Sequence, residues 1–448
     1  MDYINYVKQS PMQGMTGLWG GVSSNLSSGI TYEAGTITGD RGVFVGEFAG
    51  GWPTPNPQPL QYINITSTGN AATFGNWGSM TYKDSTRCAG NGSRLLAGGG
   101  FTMPGGYVAT TNEIGYITTS STGNVQDFGN LSSNRQCCGA GSNGERAVFA
   151  GGNKQEDTGS GFVPTYSQID YVTILTTGNA ADFGDMASAA GGGGDCGDGI
   201  YALFAGGRYS PYAGWAGQNR IESINVFTTG NGTSFGALTS KRTNGPAGAH
   251  GETRGLFAGG TGAPPSPGTK NEIAYVTIQT ASNTTDFGDL TQQRQQMGSC
   301  SNFTRAVFGG GTSPSNVNTI DYVTIASTGN ASDFGDLDKT MIKAAGGSGS
   351  ASDEKLKDNI TPIEDSISKV SSISGNTFKW NEKSEFEGEL DTGVIAQEVE
   401  KLGLPGIVED QESGYKLVHY YKLVPLLIES VKELSSRVQI LEQTIIDK

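Results

Sequence analysis

The sequence predicts a mainly β protein: a ring of repeated β units, followed by a small α+β domain that ends in a coiled-coil helix. Three observations carry this prediction. A Phe-Gly motif recurs six times at near-regular spacing, the composition changes sharply at Ser352, and a heptad of apolar residues runs through the C-terminal segment. A chain of 448 residues exceeds what one ordinary core organises, so at least two domains are expected.

Composition narrows the class. Seventy glycines without a triplet period exclude collagen, and only 16% of residues are charged. A net charge of −14 argues against a general nucleic-acid binder, which needs Lys and Arg to displace counterions from phosphates. No apolar run approaches ~18 residues, so no membrane insertion is expected. Met1–Ser10 lacks the basic and apolar regions of a signal peptide.

The repeat is anchored by Phe74, Phe128, Phe183, Phe235, Phe287 and Phe334, spaced 54, 55, 52, 52 and 47 residues apart. A period near fifty built from short β-type runs means a propeller or a related repeat architecture, and the expectation is a six-bladed β-propeller over residues 41–347. Within each unit a β-prone run such as Arg305-Ala-Val-Phe308 ends in a double glycine, where the backbone turns sharply. No Lys-Ser/Thr follows these glycines, so they are not a phosphate loop. An alternating strand comes next, as in Ile320-Asp-Tyr-Val-Thr-Ile325. Thr-Gly-Asn is then expected to supply the positive φ angles of a tight hairpin turn, and a short strand ends at Phe-Gly. This order resembles a Kelch-type blade, with phenylalanine where that blade usually has tryptophan. Residues 1–40 fit the period poorly. Met1-Asp-Tyr-Ile4 echoes the alternating strand, so the segment either closes the ring, supplies part of a seventh blade or attaches the protein to a larger body.

The cysteines read as structural. Cys88, Cys196 and Cys300 each lie ten residues before a glycine of a pair, where other units have Gly141 and Ala249, which suggests a slot for a small side chain. Adjacent Cys137 and Cys138 lack metal spacing, and the chain has two histidines, so no metal and no cofactor are expected. Loops after the double glycines vary most. One holds Arg208, Tyr209, Tyr212 and Trp215, whose aromatic faces suit sugar rings. The bland alternative is that they cap an apolar edge or pack on a neighbouring subunit.

Gly346–Ala351 reads as an uncharged flexible linker, with 348–351 as the boundary and 352–448 as a separate domain. Thr361-Pro-Ile-Glu364 looks like a helix start. Asn376–Trp380 alternates like a strand, Gly393–Glu400 passes from strand to helix, and Tyr415–Tyr420 is a further strand. A last helix begins near Tyr421. In it Leu427, Leu434 and Leu441 share one heptad position, and Val431, Val438 and Ile445 the other.

The runs Ser352-Asp-x-x-Leu-Lys357-x-x-Ile, Phe378-x-Trp380, Gly393-Val-Ile-Ala-Gln-Glu-Val-Glu400 and Leu423-Val-Pro-Leu-Leu-Ile-Glu429 resemble the endosialidase-type intramolecular chaperone domain that ends many phage tail fibres and tailspikes. The resemblance implies a homotrimer, assistance in folding of the part ahead, and self-cleavage between Ala351 and Ser352 by a Ser352–Lys357 dyad. Lys355 is the competing base. A serine hydroxyl is a weak nucleophile until a neighbour takes its proton, and a lysine can do so when burial lowers its pKa. β-branched residues beside leucine would by themselves suggest a dimer; the resemblance implies three chains.

Together these readings point to a virion tail-fibre protein that contacts a host receptor, a glycan, alongside other tail proteins, after assembly in the host cytoplasm. A glycan depolymerase is the enzymatic alternative. It would need paired carboxylates facing a cleft, and Asp182/Asp185, Asp286/Asp289 and Asp333/Asp336 recur by symmetry as structural residues do. A spacer or adhesin is the third.

Overall fold

A computed structural model describes residues 40–48, 59–78, 80, 85–102, 109–136, 139–154, 165–191, 193–209, 216–244, 246–251, 253–302, 304–349, 361–382, 388, 390–410, 414–418 and 420–446. The chain forms two units, and the six-bladed β-propeller accounts for the larger.

Each blade is built on four antiparallel strands, and in blade 3 the long outer strand Thr233–Asn244 runs on to pair with Thr261–Gly262. In blade 1 the strands run Arg87–Gly90, Arg94–Gly98, Glu113–Thr118 and Gln126–Asn130, from the centre outwards. Blades 2 to 5 repeat this order, with inner strands at Gly139–Ser142, Gly194–Gly197, Ala247–His250 and Gly298–Ser301. Blade 6 is composite: the inner strand Met341–Gly349 pairs with Arg41–Phe48, which continues outwards to Pro59–Asn64 and Ala72–Asn76. The six inner strands touch in sequence and close a ring. Closure therefore joins the two ends of the repeat region by strand pairing. The Met1–Ile4 echo lies outside the described residues.

The second strand of each blade carries the core because it is covered on both faces. Ala147, Val148 and Phe149 are fully buried, as are Ala306, Val307 and Phe308. Such doubly buried strands read as continuous apolar runs, not as alternation. The third strand alternates: in Gln168–Thr173, Ile169, Asp170 and Val172 are buried while Tyr171 is half-buried. That tyrosine meets the repeat phenylalanine edge to face. The ring centroids stand 5.9 Å apart in Tyr62–Phe74, Tyr116–Phe128 and Tyr275–Phe287, and 5.8 Å in Tyr322–Phe334. Such pairs contribute about 0.5–1.5 kcal/mol beyond the area they bury.

Neighbouring blades are tied by two recurring contacts. First, the arginine that opens the second strand lies over the tyrosine of its own blade and donates to carbonyls in the next blade. Arg94 stands 4.7 Å from the Tyr116 ring centroid and donates to Ile174 and Leu175 at 3.1 and 3.0 Å. Arg41, Arg146, Arg254 and Arg305 repeat the contact. Blade 3 has Tyr201 at this position, and there Gln279 of blade 4 donates instead to Asp198 at 3.2 Å. Second, Thr-Gly-Asn is a latch, which corrects the expected tight hairpin. The strands on either side of it in blade 1 end at Thr118 and resume at Gln126. Gly123 N–H donates to Phe74 O of the preceding blade at 3.0 Å, and Asn124 Oδ1 accepts from Asn76 N–H at 3.0 Å. The same asparagine bond recurs at Asn70, Asn179, Asn231, Asn283 and Asn330.

The Phe-Gly glycine exists for this latch. A Cβ on Gly288 would stand 2.3 Å from the Gly329 carbonyl oxygen, and Gly288 has φ 147°. The double glycines take positive φ as expected, for example Gly151 at 64° and Gly152 at 115°.

Two further expectations are corrected. The inner strand of blade 6 includes Ser348 and Gly349, paired with Gly42 and Arg41, so the flexible linker does not begin at Gly346. Gly346 and Gly347 are small because Cβ atoms there would lie 2.3 Å from Ser299 O and from Leu95 Cδ1. The cysteine column is also shifted. Cys196 and Cys300 share the buried column, facing Gly255 and Gly42 of the next blade, but Ala89 is their partner in blade 1. Gly98-Gly99-Gly100 is a triple, which displaces the count by one. Cys88 falls in the neighbouring column with Asp195 and Ser299.

The described part of the smaller unit is α+β. It runs from the helix Ser366–Ser371 through the hairpin Asn376–Lys379/Leu390–Gly393 to the helix Ala396–Glu400. A second hairpin, Val408–Asp410/Lys416–Val418, and a 3-10 turn at Tyr420–Leu423 precede the helix Val424–Ile446. Val399, Leu402, Ile407 and Leu426 form its core. The first helix begins later than Thr361-Pro-Ile-Glu364 suggests. Asp365 sits in the left-handed region at φ 52°, so the chain turns before it coils.

Candidate functional site

The smaller unit places one predicted feature plainly. Leu427, Val431, Leu434, Val438 and Leu441 lie on the long helix and are 44 to 63% exposed. Leu426, on another face of the same helix, is fully buried in the domain core. The helix thus uses one face for its own fold and leaves the heptad seam open. Glu433 ties it back: its carboxylate accepts from Ser366 Oγ at 2.8 Å and from Ile367 N–H at 3.2 Å. These bonds hold the Glu433 carboxyl below its ordinary value. The side chain of Ile445, like Ala351, Ser352, Lys355 and Lys357, lies outside the described residues.

Of the four loop residues singled out for receptor contact, Arg208 is placed. It opens a short strand against Ala216 and Gly217, and its backbone exchanges hydrogen bonds with Gly191 at 2.8 and 3.1 Å. The Tyr209 side chain, Tyr212 and Trp215 lie outside the described residues.

Arg208 points to a feature that the sequence reading missed. At one mouth of the ring a cavity of about 290 Å³ is lined by residues from several blades, Arg208 among them. Arg87 of blade 1 reaches blade 3, donating to Gly193 O at 3.0 Å and pairing with Asp195 at 3.4 Å. Burial pushes the Asp195 carboxyl up to about 7, against the pull of Arg87. Burial, reinforced by Asp195, pushes the Cys88 thiol up to about 12, so it is no nucleophile at neutral pH. The signal in the sequence was a set of large or charged residues, Arg87, Asp195 and Lys343, inside or beside stretches that are otherwise small. The repeat alignment treated those stretches only as spacers.

The recurrent aspartates do not line this cavity. Asp182, Asp185, Asp286, Asp289, Asp333 and Asp336 are exposed on the outermost strands of their blades. The buried carboxylates are spent on ion pairs. Asp170 meets Arg135 at 2.9 Å and Asp321 meets Arg294 at 2.6 Å, with all four side chains fully buried. In each pair an arginine from the inter-blade connection is pinned to the third strand of the next blade.

The fold defines a β-propeller protein with a small C-terminal α+β domain whose last helix leaves an apolar seam exposed. Residues 352–409 match the family described as chaperone of endosialidase, so the chain carries a domain of that type. Over 99 residues the chain is 36% identical to the long tail fiber protein Gp37 of Enterobacteria phage K3, which covers 20% of this chain and 8% of that protein. The long tail fiber protein Gp37 of Enterobacteria phage T2 is likewise 36% identical over 99 residues, 20% of this chain and 7% of that protein. The chain thus spans less than a tenth of the length of these curated relatives.

Proposed function

We propose that the protein is a tail-fibre component of a virion whose propeller binds a host surface glycan. In this reading the C-terminal domain joins three chains, assists the folding of the part ahead and releases itself before Ser352. The open heptad seam beside a chaperone-type domain is the observation that carries the reading. An apolar stripe left unpaired on an otherwise folded helix is what a coiled-coil partner would cover.

The release chemistry needs only residues of the chain. Lys357, as a neutral amine, takes the Ser352 hydroxyl proton, and the oxygen attacks the Ala351 carbonyl carbon. The Lys357 ammonium returns that proton to the Ser352 nitrogen, which leaves as an amine while Ala351 stays on the serine oxygen as an ester, and water then hydrolyses the ester to free the Ala351 carboxylate and restore the Ser352 hydroxyl. Burial of Lys357 on assembly would couple cutting to correct folding. Three propellers on one stem would give avidity from weak single sites.

The test of the host-contact reading is adsorption of the full chain to host cell envelopes before and after chemical removal of surface glycan. Retention that disappears with the glycan supports the reading. Retention by neither preparation contradicts it, and shortened polysaccharide in the supernatant would make the protein a depolymerase.

A further inference from the structure

Two exposed apolar side chains stand at the same place in consecutive repeats. Leu175 of blade 2 and Phe227 of blade 3 each follow a buried aliphatic residue just past the third strand, Ile174 and Val226, and they are 63% and 44% exposed. No other large apolar side chain is exposed among the described residues of the propeller. The remaining blades have Ser120, Gln279, Ala326 and Thr66 at this position. A single exposed apolar residue is ordinary, but two at one repeat position on neighbouring blades mark a sector of the rim. Phe227 is also held still. Its N–H donates to Asn225 Oδ1 at 3.0 Å, and its carbonyl accepts from Arg146 of blade 2 at 2.9 Å. A side chain on a fixed backbone loses little freedom when it is covered.

The surroundings of Phe227 suit a second copy of this chain. At −14, two copies repel wherever carboxylates face one another. Blade 3 lacks them on its outer strand. Where blade 2 has Asp182 and Asp185 opposite Asp170 and Gln168, blade 3 has Ser234 and Ala237 opposite Glu222 and Arg220. Ser223–Ser240 holds no charged residue, and Ser223 stands where the other blades have tyrosine. The turn beneath changes in the same sense. In blade 2 the exposed Glu145 accepts from Ile174 N–H through its carbonyl, and in blade 3 the half-buried Ile200 does the same for Val226. The carboxylate of that turn, Asp198, already accepts from the N–H groups of Ile200 and Tyr201 and from Gln279. Around a threefold axis one position of three copies converges, so a charge there would meet itself. Blade 6 is likewise uncharged at Thr73 and Asn76 but presents Thr66 in place of the phenylalanine.

This rim is also where the chain leaves the ring. Gly349, the end of the closing strand, pairs with Arg41, and Arg41 donates to Ser120 O at 2.8 Å. Ser120 is the blade 1 counterpart of Leu175 and Phe227, so the segment that leads on to the heptad helix starts from their side of the ring. Copies tethered by that helix would meet at an effective concentration on the order of 1 mM, at which a small apolar contact is enough.

We infer that Phe227, with Leu175 of the preceding blade, forms a contact between the propellers of three copies of this chain. The inference rests on the three-chain reading above.

The experiment uses the full chain in the Ser352→Ala background, which keeps the tail attached. Phe227→Cys and its blade 6 counterpart Thr66→Cys are treated with a short bismaleimide, and linked chains are read on denaturing gels against Ser352→Ala alone. Phe227→Cys should link well above that baseline and Thr66→Cys should not. Adding Leu434→Glu should lower the linking of Phe227→Cys roughly a hundredfold at about 10 μM protein, the ratio of an effective concentration of ~1 mM to the bulk one. Phe227→Glu should stay threefold by native mass yet sediment more slowly as the propellers separate. Linking at baseline, equal linking from Thr66→Cys, or unchanged sedimentation of Phe227→Glu would overturn the contact. Loss of adsorption to host envelopes in Phe227→Glu, without linking in Phe227→Cys, would give this residue to the host instead. If linking fails while assembly stays threefold, only the propeller contact falls. If native mass shows single chains while Phe227→Cys still links, the reading of the tail falls and the contact between copies stands.

Discussion

Gly288 and Gly329 show how identical residues in one repeat carry different constraints. A Cβ on Gly288 would collide with the Gly329 carbonyl at 2.3 Å, whereas a Cβ on Gly329 meets nothing within 4 Å. Gly288→Ala should therefore cost roughly 2–4 kcal/mol, and Gly329→Ala should stay within about 0.5 kcal/mol. Chemical denaturation of both variants checks the difference. The recurrence of Phe-Gly was visible in the sequence, but its reason was not, because the atom that excludes the side chain belongs to the next blade. Asp195 gives a pH prediction. Its carboxyl is raised from 3.8 to about 7 by burial, facing Arg87 and Cys88. A raised folded-state pKa means the folded protein holds the proton more tightly. The stability contributed by this group is complete below about pH 4 and is lost as pH rises through about 7. Asp195→Asn should flatten the stability profile over that window relative to the parent chain. Equal slopes for the two proteins would contradict the burial of this group.

At the scale of elements, the strands were the most legible part. Arg146–Ala150 and Gln168–Thr173 follow from an apolar run ended by glycines and from an alternating run, and both form where those patterns fall. What local pattern could not give was the partner. Thr-Gly-Asn looks like a hairpin turn in isolation and acts as a latch only because a neighbouring blade offers Phe and Asn backbone groups. The helix expected at Thr361 forms at Ser366 because Asp365 takes a left-handed turn and Glu433, distant in sequence, accepts from the Ile367 N–H and the Ser366 hydroxyl in its first turn. The seam of the last helix was legible from its heptad, and its exposure makes a direct prediction. Leu434→Glu places a charge at an open position, so it should leave the helical signal of the domain intact while reducing assembly to single chains, as measured by light scattering. Unchanged assembly would remove Leu434 from any interface.

For the whole molecule, the six-unit ring was legible from the spacing of six phenylalanines, but the manner of closure was not. The last repeat ends in Met341–Gly349, and that strand pairs with residues that begin at Arg41. Gly346-Gly-Ser-Gly-Ser reads as a linker by composition, yet Gly346 and Gly347 are small because a Cβ at either would collide with a neighbouring blade, and the strand runs on through Gly349. A chain ending at Gly349 should therefore keep a closed propeller, while one ending at Thr340 should melt at a clearly lower temperature, which calorimetry would register. The cavity at the central mouth escaped the sequence because its lining residues come from blades far apart in the chain. The central claim, that the C-terminal domain gathers three chains and then leaves, is tested most directly by native and intact mass measurement of the freshly expressed full chain beside Ser352→Ala. The account predicts threefold assembly of the Ser352→Ala variant at full length, and in the parent chain a cut that separates the 97 residues from Ser352 to Lys448. Single, full-length chains in both samples would contradict it.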